Sequence, residues 1–283
     1  MLPQSRLGNT ELFVSRLGLG TVKFGRNQSV KYPETFELPS DDEARKLLHC
    51  ACDLGINLLD TAPSYGTSEE RLGYLLRGER KSWVISTKAG EEFLDKKDIH
   101  AFLSPPQSQF NFTPEALRLS VERSLRRLRT DYLDIVLIHS DGNDTQIIEQ
   151  YQVLDTLATL KREGWIRAFG MSTKTLAGSK LCAPVADLIM ATYDPEVTED
   201  QQLLEACTKH STGLLLKKIF NSGHLVSNLE KHESPNKVIE KKMQTIFAQS
   251  AVNSAIIGTL NCQHLHNNVE CALSALADHG KLA

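Results

Sequence analysis

Four residues of different chemical type could share one reaction: Asp60, Tyr65, Lys88 and His139. A Tyr hydroxyl can hand a proton to a developing alkoxide, but an unperturbed pKa of about 10 makes it a reluctant donor at neutral pH. A neighbouring Lys ammonium favours the phenolate and lowers that pKa. An Asp paired with the Lys holds it charged and oriented. A His beside the Tyr can hydrogen-bond the substrate oxygen and fix its position. Together these groups suit hydride reduction of a carbonyl. Each alone has a plainer reading: Asp60 as a turn residue, Tyr65 as loop packing, Lys88 as an ion-pair partner, His139 as a structural group.

The elements that carry them make convergence natural. Eight short apolar runs read as strands, at 16–21, 56–60, 83–87, 133–138, 166–170, 187–190, 213–216 and 255–258. Amphipathic runs alternate with them. Uninterrupted apolar strands are buried on both faces, as in parallel sheets, and strand–helix alternation means crossover helices. Eight such units in 283 residues predict an α/β fold, a single-domain (β/α)8 TIM barrel spanning 1–283. Asp60, Lys88 and His139 then end the second, third and fourth strands, with Tyr65 in the loop after Asp60. Barrel enzymes place their chemistry at that C-terminal face.

Local signals agree. Ser40 and Glu43 form a capping box, and Thr113-Pro114 opens another helix. The pattern over 145–162 predicts one long helix, and 91–112 reads as an irregular loop. Charge is nearly balanced, 32 Lys+Arg against 35 Asp+Glu, which gives no reason to expect nucleic acid as partner. No apolar run approaches membrane-spanning length and no signal peptide opens the chain, so a cytoplasmic location is expected. The six scattered cysteines suggest buried thiols rather than a disulfide framework. Cys50 and Cys52 point to different faces of one helix and do not suggest a metal pair.

The strings Asp60-Thr-Ala-Pro-Ser-Tyr65-Gly66, Ser86-Thr87-Lys88 and Leu137-Ile138-His139-Ser140 resemble the Asp, Tyr, Lys and His motifs of the aldo-keto reductase superfamily. Leu17-Gly-Leu-Gly-Thr21, Leu128–Ile135 and Gly164–Ser172 support the resemblance, which weakens over 174–250 and partly returns at 255–269. It implies NAD(P)H-dependent reduction of aldehydes or ketones, with NADPH the first choice and NADH the alternative, on a small-molecule carbonyl substrate, by a monomer that uses no metal. A catalytically weak, cofactor-binding regulatory member of the same fold is the alternative reading. A Schiff-base Lys88 would leave the Tyr and His unexplained.

The resemblance also implies cofactor contacts. By position, Thr21, Lys23 and Asp60 lie near the cofactor, and Ser172 matches a Ser that contacts the nicotinamide carboxamide. Thr173 stands where Asn is usual, and Met190 where Gln is usual. Lys217 falls at a position that often stacks an aromatic ring on the nicotinamide. Lys217 or Lys218 either meets a cofactor phosphate or an acidic substrate, or is merely solvated. In the segment that grips the adenosine phosphate, beginning Gly258-Thr259, NADPH-preferring members commonly carry Lys and Arg where Gly258 and His264 stand. Arg grips a phosphate in a bidentate, always-charged way, whereas His does so weakly and with pH dependence. Asn268 matches an adenine contact. With the chain ending at Ala283, the 91–112 loop and its Phe93, Phe102, Phe110 and Phe112 are expected to replace a C-terminal substrate wall.

Overall fold

Eight parallel strands close into a barrel in the computed structural model, which describes residues 1–94, 107–227, 234–278 and 280. They are β1 (Leu17–Gly20), β2 (Leu58–Asp60), β3 (Val84–Ala89), β4 (Leu133–His139), β5 (Ile166–Ser172), β6 (Leu188–Ala191), β7 (Gly213–Leu216) and β8 (Ser254–Ile257). Strands adjacent in sequence are adjacent in space, and β8 pairs with β1 to complete the circle. The expected α/β barrel is therefore observed, including its weakly signalled sixth and seventh strands.

The apolar runs have two jobs. One face of each strand fills the barrel, where Leu58, Ile135, Leu137, Leu188, Leu215 and Ile256 form one cluster. The other face packs on the surrounding helices, where Leu59, Ile85, Val136, Ile138 and Leu214 join a larger one. A hairpin that the sequence reading did not foresee closes the N-terminal end. Gln4–Arg6 pairs antiparallel with Phe13–Ser15, and Leu7, Leu12 and Val14 enter the inner cluster.

Both capping predictions hold. Ser40 and Glu43 exchange the reciprocal bonds of a capping box, and Thr113 caps the helix that begins at Pro114. The long helix expected over 145–162 is instead two, Asp144–Tyr151 and Val153–Arg162, divided at Gln152 with φ of +51°. The first buries Ile147 and the second Val153, Leu154, Leu157 and Leu160. One left-handed residue lets each piece turn its own apolar stripe to the core. The 91–112 segment is not irregular where it is described: Glu91–Leu94 and Gln107–Phe110 form an antiparallel hairpin.

The cysteine expectation needs a correction. Cys182 and Cys207 are buried thiols, with burial pushing each up to about 12, but Cys50 and Cys262 form a disulfide. These two lie 212 residues apart and meet because barrel closure brings the helix Asp41–Asp53 against the helix Cys262–Asp278. Among the described residues, no helix is long and apolar enough to cross a membrane.

Candidate active site

The register of the barrel assembles the four candidate residues. Gly20 pairs with Asp60, Asp60 with Ser86, Lys88 with Leu137, and His139 with Ser172, so all reach the same end. Tyr65 follows in a single 3-10 turn, Pro63–Tyr65. Gly66 ends that turn at φ +61°, where a Cβ would lie 2.2 Å from the Gly25 carbonyl oxygen. No residue with a side chain fits there without moving backbone.

Lys88 and Asp60 form a buried, fully engaged pair. The Lys88 ammonium donates to Asp60 Oδ1 and Oδ2, each at 2.8 Å, and to the Thr61 carbonyl at 2.8 Å. Ser86 adds a fourth bond to the unit, donating to Asp60 Oδ1 at 3.1 Å. Such satisfaction is what a buried ion pair requires. The Lys88 Nζ lies 4.7 Å from the centre of the Tyr65 ring, and the Tyr65 and His139 rings meet edge-on with centres 6.3 Å apart. Burial and the Asp60 carboxylate push the Tyr65 hydroxyl well above its usual 10, with Tyr32 and Glu91 adding to the shift. This is opposite in sign to the expected lowering by Lys88. The reason is local: Asp60 neutralises the ammonium and faces the Tyr with its own charge.

These four side chains line one cavity of about 530 Å³ at the C-terminal mouth of the barrel. Lys23, Ser172, Lys217, Lys218, Gly258, Thr259, His264 and Asn268 line it too. Two expected contacts do not reach it. The Thr21 hydroxyl is buried against the Asp60 carbonyl and Ser68, and that of Thr173 is spent on Ser179 at 2.8 Å. Met190, in place of the usual Gln, does line the cavity.

The lysines differ in kind. Lys23 is capped by aromatic faces, 4.5 Å from the Tyr32 ring centre and 5.0 Å from that of Phe36. Lys218 is exposed, and its backbone is left-handed. Lys217 is largely buried and donates to Ser172 Oγ at 2.7 Å and to the Thr173 carbonyl at 2.8 Å. Among the described residues no carboxylate stands within ion-pair distance of it. Burial first, then Lys218 and Lys88, lowers its pKa to about 7.

Of the phenylalanines expected to form a substrate wall, Phe93, Phe110 and Phe112 do not line the cavity. Phe112 is buried against Tyr151, Phe110 is exposed, and Phe93 lies under the Arg26 guanidinium. Phe102 lies outside the described residues. The segment instead contributes Glu91, which the sequence reading missed: its Oε2 is 2.6 Å from His139 Nδ1.

The arrangement fits a dinucleotide. Five lysines and two carboxylates, Glu34 and Asp60, line the cavity, a surplus of positive charge suited to a pyrophosphate. Asn268 Oδ1 is buried and, among the described residues, accepts no hydrogen bond.

Comparison with known proteins gives one answer. The model of the aldo/keto reductase family matches residues 16–277. A solved structure described as an aldo-keto reductase from Pseudomonas aeruginosa superposes with a TM-score of 0.82 at 44% identity, covering 96% of this chain and 95% of that one. D-threo-aldose 1-dehydrogenase of a Pseudomonas species is 29% identical over 78% of this chain and 70% of its own length. The NADH-specific methylglyoxal reductase of Escherichia coli is 34% identical over 58% of this chain and half of its own.

Proposed function

The chain belongs to the aldo/keto reductase family, a family of oxidoreductases, and we propose that it reduces a small aldehyde or ketone with NAD(P)H. The nicotinamide supplies the hydride when bound. Tyr65 gives the proton to the substrate oxygen, Lys88 and Asp60 hold the field around the phenol, and His139 orients the oxygen. A Tyr whose pKa is raised keeps its proton at neutral pH and so enters the reaction in the donating form.

The observation that carries this reading is the closed Lys88–Asp60 pair under the Tyr65 ring, with His139 at its edge, at the mouth of one cavity. We read Ser172 as the contact for the nicotinamide amide, Lys217 as a contact for a cofactor phosphate, and Gly258, Thr259, His264 and Asn268 as contacts for the adenosine end. NADPH is the preferred cofactor by family resemblance. NADH is the alternative, because neither Gly258 nor His264 supplies a fixed positive charge. The aldose dehydrogenase among the relatives favours a hydroxylated carbonyl compound, and the same residues serve the reverse reaction.

The test is cofactor oxidation by the purified protein with NADPH and NADH side by side, against a reactive aromatic aldehyde, with Tyr65→Phe as control. Turnover that is lost in the variant supports the reductase. Tight cofactor binding with no turnover of any carbonyl would instead support a regulatory protein on the same fold.

A further inference from the structure

The reaction proposed above leaves the short contact between Glu91 and His139 unused. It is a built feature. Gly90 turns the chain out of β3 at φ +101°, where a Cβ would lie 2.7 Å from the Phe112 ring. Asn111 N donates to the Gly90 carbonyl at 2.9 Å and fixes the root of the hairpin. The hairpin pairing of Glu91 with Phe110 then holds the carboxylate over β4. Glu91 Oε2 lies 2.6 Å from His139 Nδ1, and Ser64 Oγ lies farther from that nitrogen, at 3.2 Å. Among the described residues no protein group bonds Nε2, and His139 lines the cavity.

Burial pushes the Glu91 carboxyl up, but bonds from His139, Ser108 and Ser64 with the His139 charge outweigh it and leave it at about 2. Glu91 is therefore an acceptor at any working pH. Burial, Lys88 and Lys217 together outweigh Glu91 at His139 and lower the imidazole below its usual 6.5. The other charged and titratable groups around the pair are Tyr65 and Asp60, and Arg26, which feels the charge of Glu91. A neutral ring next to a carboxylate must carry its one proton on Nδ1.

We propose that Glu91 is a positioning residue that fixes His139 in its Nδ1–H form, so that Nε2 meets the reacting oxygen as an acceptor while the ring is neutral and as a donor only after it takes up a second proton. The donor function assigned to His139 is then gated by protonation. Tyr65 supplies the transferred proton and the cofactor the hydride, so His139 neither gains nor loses a proton across the step. The inference rests on the reductase reading for its kinetic consequence, but not for the tautomer.

Two measurements test it. The first is nitrogen-15 NMR of histidine-labelled protein without cofactor at pH 8, with His139→Asn used only to assign the ring. The expected result is the Nδ1–H form in the wild type and in Glu91→Asp. In Glu91→Gln, whose amide can donate to Nδ1, the Nε2–H form is expected. An Nε2–H form in the wild type overturns the proposal, whether or not any variant folds.

The second is the pH profile of kcat/KM for carbonyl reduction. The wild type should lose about tenfold per unit above the His139 titration. Glu91→Gln should lose that break and exceed the wild type at pH 8, because its neutral ring can donate from Nε2, while cofactor Kd stays within about twofold. A variant that keeps the wild-type break overturns the gate. If NMR shows the tautomer switch but no carbonyl is turned over, the reductase reading fails and the tautomer assignment stands.

Discussion

The two ends of the cavity are built by different rules. At the end proposed to be catalytic, Asp60, Lys88 and His139 sit on or at the end of three successive strands, and every charged atom of the Lys88–Asp60 pair has a partner inside the protein. At the other end, Lys217 directly follows β7, Gly258 directly follows β8, and His264 and Asn268 lie on the helix Cys262–Asp278. Here, among the described residues, Lys217 donates to Ser172 and the Thr173 carbonyl but meets no carboxylate, and Asn268 Oδ1 meets no donor. A closed network rigidifies a site before any ligand arrives, whereas an open one waits for the ligand to complete it. The difference predicts that substitutions at the first end cost turnover or folding, and those at the second cost ligand affinity.

Tyr65→Phe should have the largest effect, a fall of about 10²- to 10⁴-fold in kcat with cofactor Kd within about twofold. Stopped-flow turnover and fluorescence titration separate the two, and equal loss of both would make Tyr65 a binding residue. Lys88→Met should come next. It strands the buried Asp60 carboxylate and should cost about 3–5 kcal/mol in urea unfolding, since breaking one half of a buried pair is the costly step. Adding Asp60→Asn should return most of that stability without restoring turnover. Full stability in the single variant would mean the pair is not closed in solution.

Lys217→Met tests the open end. Its folded-state pKa lies below the unfolded value, so the unfolded chain binds more protons between about 7 and 10.5. The burden of the buried charge is full below pH 7 and fades as pH rises toward 10.5. The variant should therefore be more stable than the wild type by on the order of 2 kcal/mol at pH 6, and about equal at pH 10.5. It should also bind cofactor more weakly. Thermal unfolding at the two pH values reads the sign, and an equal gain at both would refute a buried titrating amine. The smallest effect is expected for His264→Arg, a gain in NADPH over NADH affinity of about five- to tenfold. No gain would place the adenosine phosphate elsewhere.

The end that holds Asp60, Lys88 and His139 was legible because these residues are tied to strand ends, and strand ends can be located from apolar runs alone. Asp60 and Lys88 needed only the order of strands to be brought together. Thr21 and Thr173 show the limit: both follow a barrel strand directly, as expected, yet their hydroxyls turn to Ser68 and Ser179. Side-chain direction in the turns beyond the strands is set by local partners that no period in the sequence reports. The break at Gln152 has the same origin, since the apolar pattern continues through it.

What the sequence alone determined is the closed eight-stranded barrel, the two helix caps and the meeting of Asp60, Tyr65, Lys88 and His139 at one mouth, because each follows from a local pattern along the chain. Only the tertiary structure decided that Glu91 meets His139 and that Cys50 meets Cys262. It alone also set the Tyr65 pKa above its usual value. Each depends on charges and contacts between segments far apart in sequence, and burial sets their strength once the barrel has closed.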